Sequence, residues 1–443
     1  MVIELSSKLN TGAVSIPNNI VALLIFLLVL ALVILRRVRG LEFPIWSAMM
    51  IGAALMILTG VISVSDAYSS IDFDVVFFLI GMFGIVAGVE KSGLLGYMMY
   101  RALSPFKNPR SLLIAFVFLM GALSALTVND TMAIVGTLIV ITIAKQMLLP
   151  LDDLLITLAF SITVGSVMTP IGNPQNMLIA SQSGIEAPFL SFVGTLAVPT
   201  LINLAVVAGF HWFTHKRDRN GADRQMVVIE EEHITNMTLA KVSGCCLALA
   251  VGGFILNDVL GLLGLAHTEH LGIVAFLASV PLFAFTVEKR SLLQQVDWSS
   301  IIFFMAMFIV MGGLWQSGAA KIFLDLLPAP SPLNRGSAIV NIMLLSTVLS
   351  QVFSNVPLVK LYIDVMKGLG FDGSHRYAWL ALASGSTIAG NLTILGAASN
   401  VIIIEAAENR TGRSFSFTTF LKRGVIVSGI NIAVYTLWLY FFG

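Results

Sequence analysis

Apolar runs about as long as a bilayer is thick recur along this chain, and no other feature restricts its fold so tightly. A helix needs about 20 apolar residues to cross the hydrocarbon layer. Runs of that kind lie near residues 20–37, 42–63, 73–89, 154–180, 190–212, 238–257, 271–287, 299–316, 377–405 and 417–441. Two further stretches, 111–145 and 338–366, are interrupted by polar tips, Thr127-Val128-Asn129-Asp130-Thr131 and Ser354-Asn355-Val356-Pro357, and read as helical hairpins. Composition agrees, since 57% of the 443 residues are hydrophobic and 11% charged, against about 25% charged in soluble proteins. The sequence predicts an all-α integral membrane protein of ten spans and two hairpins, with the lipid bilayer as its main partner. A net charge of +1 leaves no basic excess for nucleic acid, which is excluded. Cys245 and Cys246 are adjacent, which suits packing better than a disulfide or a metal. The first run is followed by Arg36, Arg37 and Arg39 with no small-residue cleavage site, and is expected to remain as an anchor.

Loops rich in Lys and Arg stay in the cytoplasm. With Arg36–Arg39 inside, 19 of the 25 basic residues fall inside and five outside (Lys8, Lys321, Arg335, Lys367 and Arg376), leaving Lys360 within an apolar stretch. Both termini are then extracytoplasmic, in a multi-pass protein of the plasma (inner) membrane. The six tryptophans, Trp46, Trp212, Trp298, Trp315, Trp379 and Trp438, fall at span ends, where indoles favour the interface.

The chain repeats itself. Asp72-Phe73 and Asp297-Trp298 open matching spans, and Met82, Phe83, Gly88, Ser92 and Gly93 recur as Met307, Phe308, Gly313, Ser317 and Gly318 (307 − 82 = 225). The tips align Asn129 with Asn355, and Thr169-x-x-Gly172-x-x-x-Asn176 aligns with Thr393-x-x-Gly396-x-x-x-Asn400. The charge-derived topology inverts one half relative to the other, an arrangement typical of transporters. The expected organisation is five plus five spans. Residues 1–213 form the first repeat with hairpin 111–145 and broken helix 154–180. Residues 214–235 form a cytoplasmic linker, and 236–443 the second repeat with hairpin 338–366 and broken helix 377–405.

Irregular backbone at membrane depth is tolerated only where protein buries it or it lines a wet cavity. The run Gly165-Ser166-Val167-Met168-Thr169-Pro170-Ile171-Gly172-Asn173-Pro174-Gln175-Asn176 cannot continue a regular helix. Its partner region, 384–396, is rich in Gly, Ser and Thr. Unwound carbonyls suit a cation, and half-helix N-termini suit an anion or a polyhydroxy solute. Asp130 is the acid at a hairpin tip, and an intramembrane acid marks a functional site. It is the candidate proton carrier or cation ligand, with helix capping by Asn129, Asp130 and Thr131 as the structural alternative. Val356 stands where Asp130 would align, so the halves are chemically unequal. Lys360 lies four residues before Asp364, spacing for an ion pair, the alternative being a charge partner for an anionic substrate. His211 with His215 and His267 with His270 lack a third ligand and are expected to be solvated, so no metal is expected. No phosphate loop or nucleophile elbow occurs, so neither ATP hydrolysis nor another enzyme activity is expected.

The tip Val128-Asn129-Asp130-Thr131, the run Thr169–Asn176, the tip Ser354–Pro357 and the stretch Ala389–Ala397 resemble the ArsB/NhaD branch of the ion transporter superfamily. That branch contains arsenite permeases, silicon exporters and sodium/proton antiporters, with citrate and dicarboxylate symporters as distant relatives. The resemblance implies a scaffold part and a transport part in each half, elevator-type movement, and dimerisation through the scaffold. It places Asn129 and Asp130 with the Gly172-Asn173 region in one half-site, and Asn355 with Gly390, Asn391 and Thr393 in the other. With the neighbouring polar residues, the candidate substrate and ion site is Thr127, Asn129, Asp130, Thr131, Thr169, Gly172, Asn173, Asn176, Ser354, Asn355, Gly390, Asn391, Thr393 and Asn400. The second tip reads Ser-Asn-Val-Pro instead of the Ser-Asn-Thr of the dicarboxylate relatives, which argues against sodium/dicarboxylate symport. The expected function is efflux of a small anion or metalloid oxyacid such as arsenite or silicic acid, coupled to protons and without a cofactor. A sodium/proton antiporter is the alternative.

Overall fold

The computed structural model describes residues 17–35, 37–38, 41–42, 44–147, 149–214, 232–324 and 329–443. Among these residues the protein is helical apart from a two-residue antiparallel ladder pairing Arg37 with Glu42 and Val38 with Leu41. In chain order the helices begin with α1 (Asn18–Leu35), α2 (Ile45–Leu58), α3 (Val64–Ser70), α4 (Phe73–Lys91) and α5 (Leu94–Leu103). The first hairpin is α6 (Pro109–Leu126) and α7 (Asn129–Met147), and the first broken helix is α8 (Leu151–Ser166) and α9 (Pro174–Gln182). Then follow α10 (Pro188–Thr214), α11 (Met237–Leu262), α12 (Leu271–Phe285), α13 (Lys289–Gln295), α14 (Trp298–Gln316) and α15 (Ala319–Leu324). The second hairpin is α16 (Arg335–Phe353) and α17 (Asn355–Gly368). The second broken helix is α18 (Arg376–Ile388) and α19 (Ala398–Thr411), and α20 (Phe417–Phe442) closes the chain.

Among the described residues, seven helices are long and apolar enough to cross a membrane: α4, α6, α10, α11, α14, α16 and α20. The expected spans at 42–63 and 271–287 are shorter than the sequence suggested. Thr59 and Gly60 end α2, Gly60 at φ +73°, and α3 starts afresh at a Ser63 cap. The short helices α3, α5, α13 and α15 add to the expected elements. Most of the linker, 215–231, lies outside the described residues, as does His215. Its last residue, Thr235, is pinned together with the next: the amides of Thr235 and Asn236 donate to the Ser92 carbonyl, and Asn236 caps α11.

The chain forms two compact units that cut across the proposed halves. One comprises residues 1–72 and 302–327. Within it Gly52 lets Val29 and Val310 approach, and Gly313 faces Met56. The other comprises residues 73–301 and 328–443. There α4 packs on α12 through a small-residue face, since a Cβ at Gly81 would lie 2.5 Å from the Ala275 backbone and one at Gly88 would strike Leu282. Asp74 accepts from the Gly272 amide at 2.7 Å and so satisfies a free donor at the start of α12. Beside Lys91, hydrogen bonding and charge hold the Glu288 carboxyl below the usual carboxylate range.

The spans ending at Gly93 and Gly318 terminate alike. Both glycines adopt left-handed φ, +77° and +75°, and donate to Glu90 and Trp315 carbonyls at 3.0 Å. The positive φ explains why glycine stands at both positions.

Candidate functional site

The broken helices lie at the heart of the second unit. Every residue from Asp153 to Ser166 of α8 and from Ala378 to Ile388 of α18 is buried. Helix α8 stops where Pro170 and Pro174 remove amide donors, and the chain restarts at α9 with Asn173 as cap, its Oδ1 accepting from the Asn176 amide at 2.9 Å. Helix α18 gives way to two short 3₁₀ turns, Ala389–Asn391 and Ile394–Gly396, before α19 starts without a side-chain cap.

The two breaks are fastened by one scheme at an offset of 224 residues. Asn176 Nδ2 donates to the carbonyls of Ser166 and Thr169, both at 3.1 Å. Asn400 Nδ2 donates to the carbonyls of Gly390 at 2.7 Å and Thr393 at 3.3 Å. The Thr169 hydroxyl donates to the Ala125 carbonyl in hairpin arm α6, and the Thr393 hydroxyl to Gln351 Oε1 in α16 at 2.7 Å. Thus Asn176, Thr169 and Asn400 mainly hold backbone in place, while Thr393 ties the second break to the Gln351 side chain. The carbonyls they engage are those a regular helix would have paired.

Direct contact between the breaks runs through Thr387. Its hydroxyl lies 3.2 Å from Asn173 Nδ2, 3.5 Å from Gln175 Nε2 and 3.3 Å from Asn176 Oδ1. Asn173 also donates to Ser166 Oγ at 3.1 Å. From the other side, a Cβ at Gly390 would lie 3.3 Å from Thr163 Cγ2. Several buried polar atoms here have no protein partner: Thr163 Oγ1, both side-chain atoms of Asn391, Ser399 Oγ and Asn400 Oδ1. The crossing therefore presents unused donors and acceptors with no charged group among them.

Of the sequence-derived site residues, the structure joins Asn173 and Asn176 across to Thr387, and collects Gly390, Asn391, Thr393 and Asn400 in the second break. Gly172 packs against the Ser166 carbonyl. The hairpin tips differ from each other. Thr127 spends its hydroxyl on the Leu123 carbonyl at 2.7 Å. Asn129 is buried and Asp130 and Thr131 are partly buried, and no side-chain hydrogen bond of these three occurs among the described residues, so they do not cap α7. At the second tip Asn355 is buried with Oδ1 unpartnered, and Ser354 sits at φ +66°, ψ 160°.

That backbone region is essentially a glycine region and costs about 1–3 kcal/mol for other residues. Replacing Ser354 with glycine relieves it, less about 0.4–1 kcal/mol for the freer unfolded chain. Ser354→Gly is expected to raise the thermal denaturation midpoint in detergent, and an unchanged or lower midpoint would show that the Ser354 side chain holds the tip.

Lys360 takes the ion-pair role, with Nζ 3.3 Å from Asp364 Oδ1 and 3.1 Å from Gln182 Oε1. Lys360→Ala is accordingly expected to keep wild-type transport and to lose about 0–1 kcal/mol of stability. Flux lost while the protein stays folded would restore it as a substrate contact.

One expectation is corrected. His211 is buried, not solvated, because its Nδ1 pairs with the Thr157 hydroxyl at 2.8 Å, whereas His267 and His270 are exposed. Trp379 lies in the first turn of α18 with its side chain fully buried in the protein, its Nε1 satisfied by the Asp372 carbonyl at 2.8 Å. No group of three metal-ligating residues occurs among the described residues.

Sequence reasoning missed Thr163, Gln175, Gln351, Thr387 and Ser399 as site residues. The repeat carried a usable signal, because Thr163 and Thr387 are partners at the same offset (387 − 163 = 224).

Two helices broken around a buried polar crossing, in a bundle with helices long and apolar enough to span a bilayer, make this a protein of the membrane-transporter class, and the wider similarities agree. Residues 25–384 match the CitMHS family, described as citrate transporter. The chain belongs to that family and is a secondary transporter, not an enzyme. An uncharacterized transporter of Mycobacterium tuberculosis is 29% identical over 409 residues, spanning 88% of this chain and 92% of that protein. The silicon efflux transporter LSI3 of rice, Oryza sativa, is 27% identical over 441 residues, spanning 86% and 90%. In fold, the chain resembles the YdaH transporter of Alcanivorax borkumensis (TM-score 0.54, 14% identity, 96% and 98% covered). It also resembles MtrF of Neisseria gonorrhoeae, described as illuminating a class of antimetabolite efflux pumps (TM-score 0.56, 14% identity, 100% and 97% covered).

Proposed function

We propose that this chain exports a small, hydroxylated oxyacid, silicic acid or arsenite, in exchange for protons, by elevator-type movement of the part that carries the hairpins and broken helices. One observation carries the reading. Every buried polar side chain in the two breaks and their flanks, 163–176 and 384–400, is a hydroxyl or a carboxamide. Such groups suit a neutral polyhydroxy solute, which offers hydroxyls to donate and accept, better than a tricarboxylate whose charges would need cationic partners. The uncapped start of α19 adds free amides that favour one partial negative charge. The silicon efflux activity named for the rice relative supports the same substrate class. Asp130 is the proposed proton-coupling group. The matched bonding of the two breaks supports a duplication of 1–213 as 236–443, which we place inverted in the plasma membrane with both termini outside, the protein dimerising through its scaffold part.

The test is the internal pH of proteoliposomes as silicic acid, arsenite, sodium and citrate are added in turn. A proton flux with silicic acid or arsenite is expected. A response to sodium alone would make the protein a cation antiporter, and a response to citrate alone would refute the oxyacid reading.

A further inference from the structure

Helix α20 carries a buried polar seam that the proposed transport site does not use. Gly424, Ser428, Asn431 and Tyr435 recur at intervals of four, three and four residues, so they share one helix face. All three polar members are at most 1% exposed. At its lower end the seam touches the second break, where a Cβ at Gly424 would lie 2.1 Å from the Asn391 carbonyl. At its upper end the Tyr435 hydroxyl pairs with Thr200 of α10 at 2.8 Å. Between these points Asn203 of α10 reaches the Asn431 carbonyl at 3.4 Å. Gly424 to Tyr435 spans about 16 Å of helix.

Most polar atoms along this seam have no protein partner. Ser428 Oγ, both side-chain atoms of Asn431, Asn203 Oδ1 and both side-chain atoms of Asn391 are buried and unpaired. Carboxamides with free nitrogens as well as free oxygens reject a cation as the common ligand, because the nitrogens can only donate. A ligand that both donates and accepts meets all of them, and water is the small molecule that does so with two to four bonds.

We propose that the α10–α20 seam binds a file of water molecules continuous with the second break, and that this file is the route by which protons reach the transport site. It rests on the proton-coupled reading above. In each transfer a hydroxyl or water oxygen accepts a proton from one neighbour and releases its own to the next, so one proton enters and one leaves. Ser428, Tyr435 and Thr200 can take part as hydroxyls, while Asn203 and Asn431 hold the waters by hydrogen bonds. A dry seam would gain nothing from two carboxamides at positions where leucine would pack.

The test uses the full-length protein in liposomes and two readouts. Hydroxyl radicals generated from bound water by X-ray pulses should modify Tyr435 despite its complete burial, and Asn431→Leu should reduce that modification several-fold. In the same variant, and in the smaller change Ser428→Ala, pH-driven flux of silicic acid or arsenite should fall at least tenfold while exchange of the same solute across equal pH stays within twofold of wild type. An unmodified Tyr435 in the wild type overturns the water file. Wild-type pH-driven flux in both variants overturns the proton route. Wild-type protein that moves no protons at all refutes the coupling reading instead, and Tyr435 labelling then still decides whether the seam is hydrated.

Discussion

Asp130→Asn is expected to fold, to reach the membrane and to carry out no proton-driven transport. Asp130 is the second residue of α7, immediately behind the first hairpin tip, and no hydrogen bond ties its side chain among the described residues. A carboxyl in that position can gain and lose a proton without dismantling the helix, because the backbone bonds of the tip do not use it. Asparagine keeps the shape and the hydrogen-bonding oxygen but cannot ionise. The carboxyl sits beside the free amides at the start of α7, which can meet its charged form. The measurement is flux of arsenite or silicic acid against external pH in proteoliposomes, with thermal denaturation as the check on folding. Wild type should respond to pH and Asp130→Asn should lose at least a hundredfold in gradient-driven rate. A folded variant with the wild-type pH profile would remove Asp130 from the coupling path.

The breaks and tips were legible in the sequence because they are written in residues that cannot do otherwise. Pro170, Gly172 and Pro174 cannot continue α8, and a polar tip inside an apolar run forces a turn. The like fastening of the two breaks was also legible, because Asn176 and Asn400 stand at equal spacing behind Thr169 and Thr393 and both hold unwound carbonyls. What the sequence hid are pairings between distant segments. Thr387 meets Asn173 across 214 residues, and no local pattern marks either as the partner of the other. His211 is buried because a hydroxyl 54 residues away on α8 satisfies it. The division into two units was likewise hidden. So was the packing of α4 on α12 through Gly81 and Gly88, a surface that charge and hydropathy do not record. The Asp153–Arg423 ion pair between α8 and α20 is of the same kind, since each charge alone reads as a solvated span end.

The second large effect falls on glycine. Gly172 and Gly396 occupy equivalent places in the two breaks (396 − 172 = 224), and both are there for close approach, with ordinary φ. A Cβ at Gly172 would lie 2.4 Å from the Ser166 carbonyl oxygen and 2.8 Å from its Cα. A Cβ at Gly396 would lie 2.5 Å from the Ala389 carbonyl oxygen and 3.1 Å from Gly390 Cα. The obstructing atoms are backbone, so no rotamer change can accommodate the methyl group, and the cost should reach or exceed the roughly 1–3 kcal/mol of an overpacked core. Ser166 and Gly390 are also the residues whose carbonyls Asn176 and Asn400 hold, so displacing them loosens the crossing at Thr387 and Asn391. Gly172→Ala and Gly396→Ala should each lower the denaturation midpoint and reduce transport at least tenfold. Gly429→Ala, on α20 with nothing within 4 Å of its added methyl, should leave both unchanged. The pair also tests the duplication in energetic terms. If the breaks are equivalent in build but unequal in chemistry, the two variants will lose similar stability, while Gly172→Ala, beside Ser166 and Asn173, will lose more transport than Gly396→Ala, beside Gly390 and Ala397.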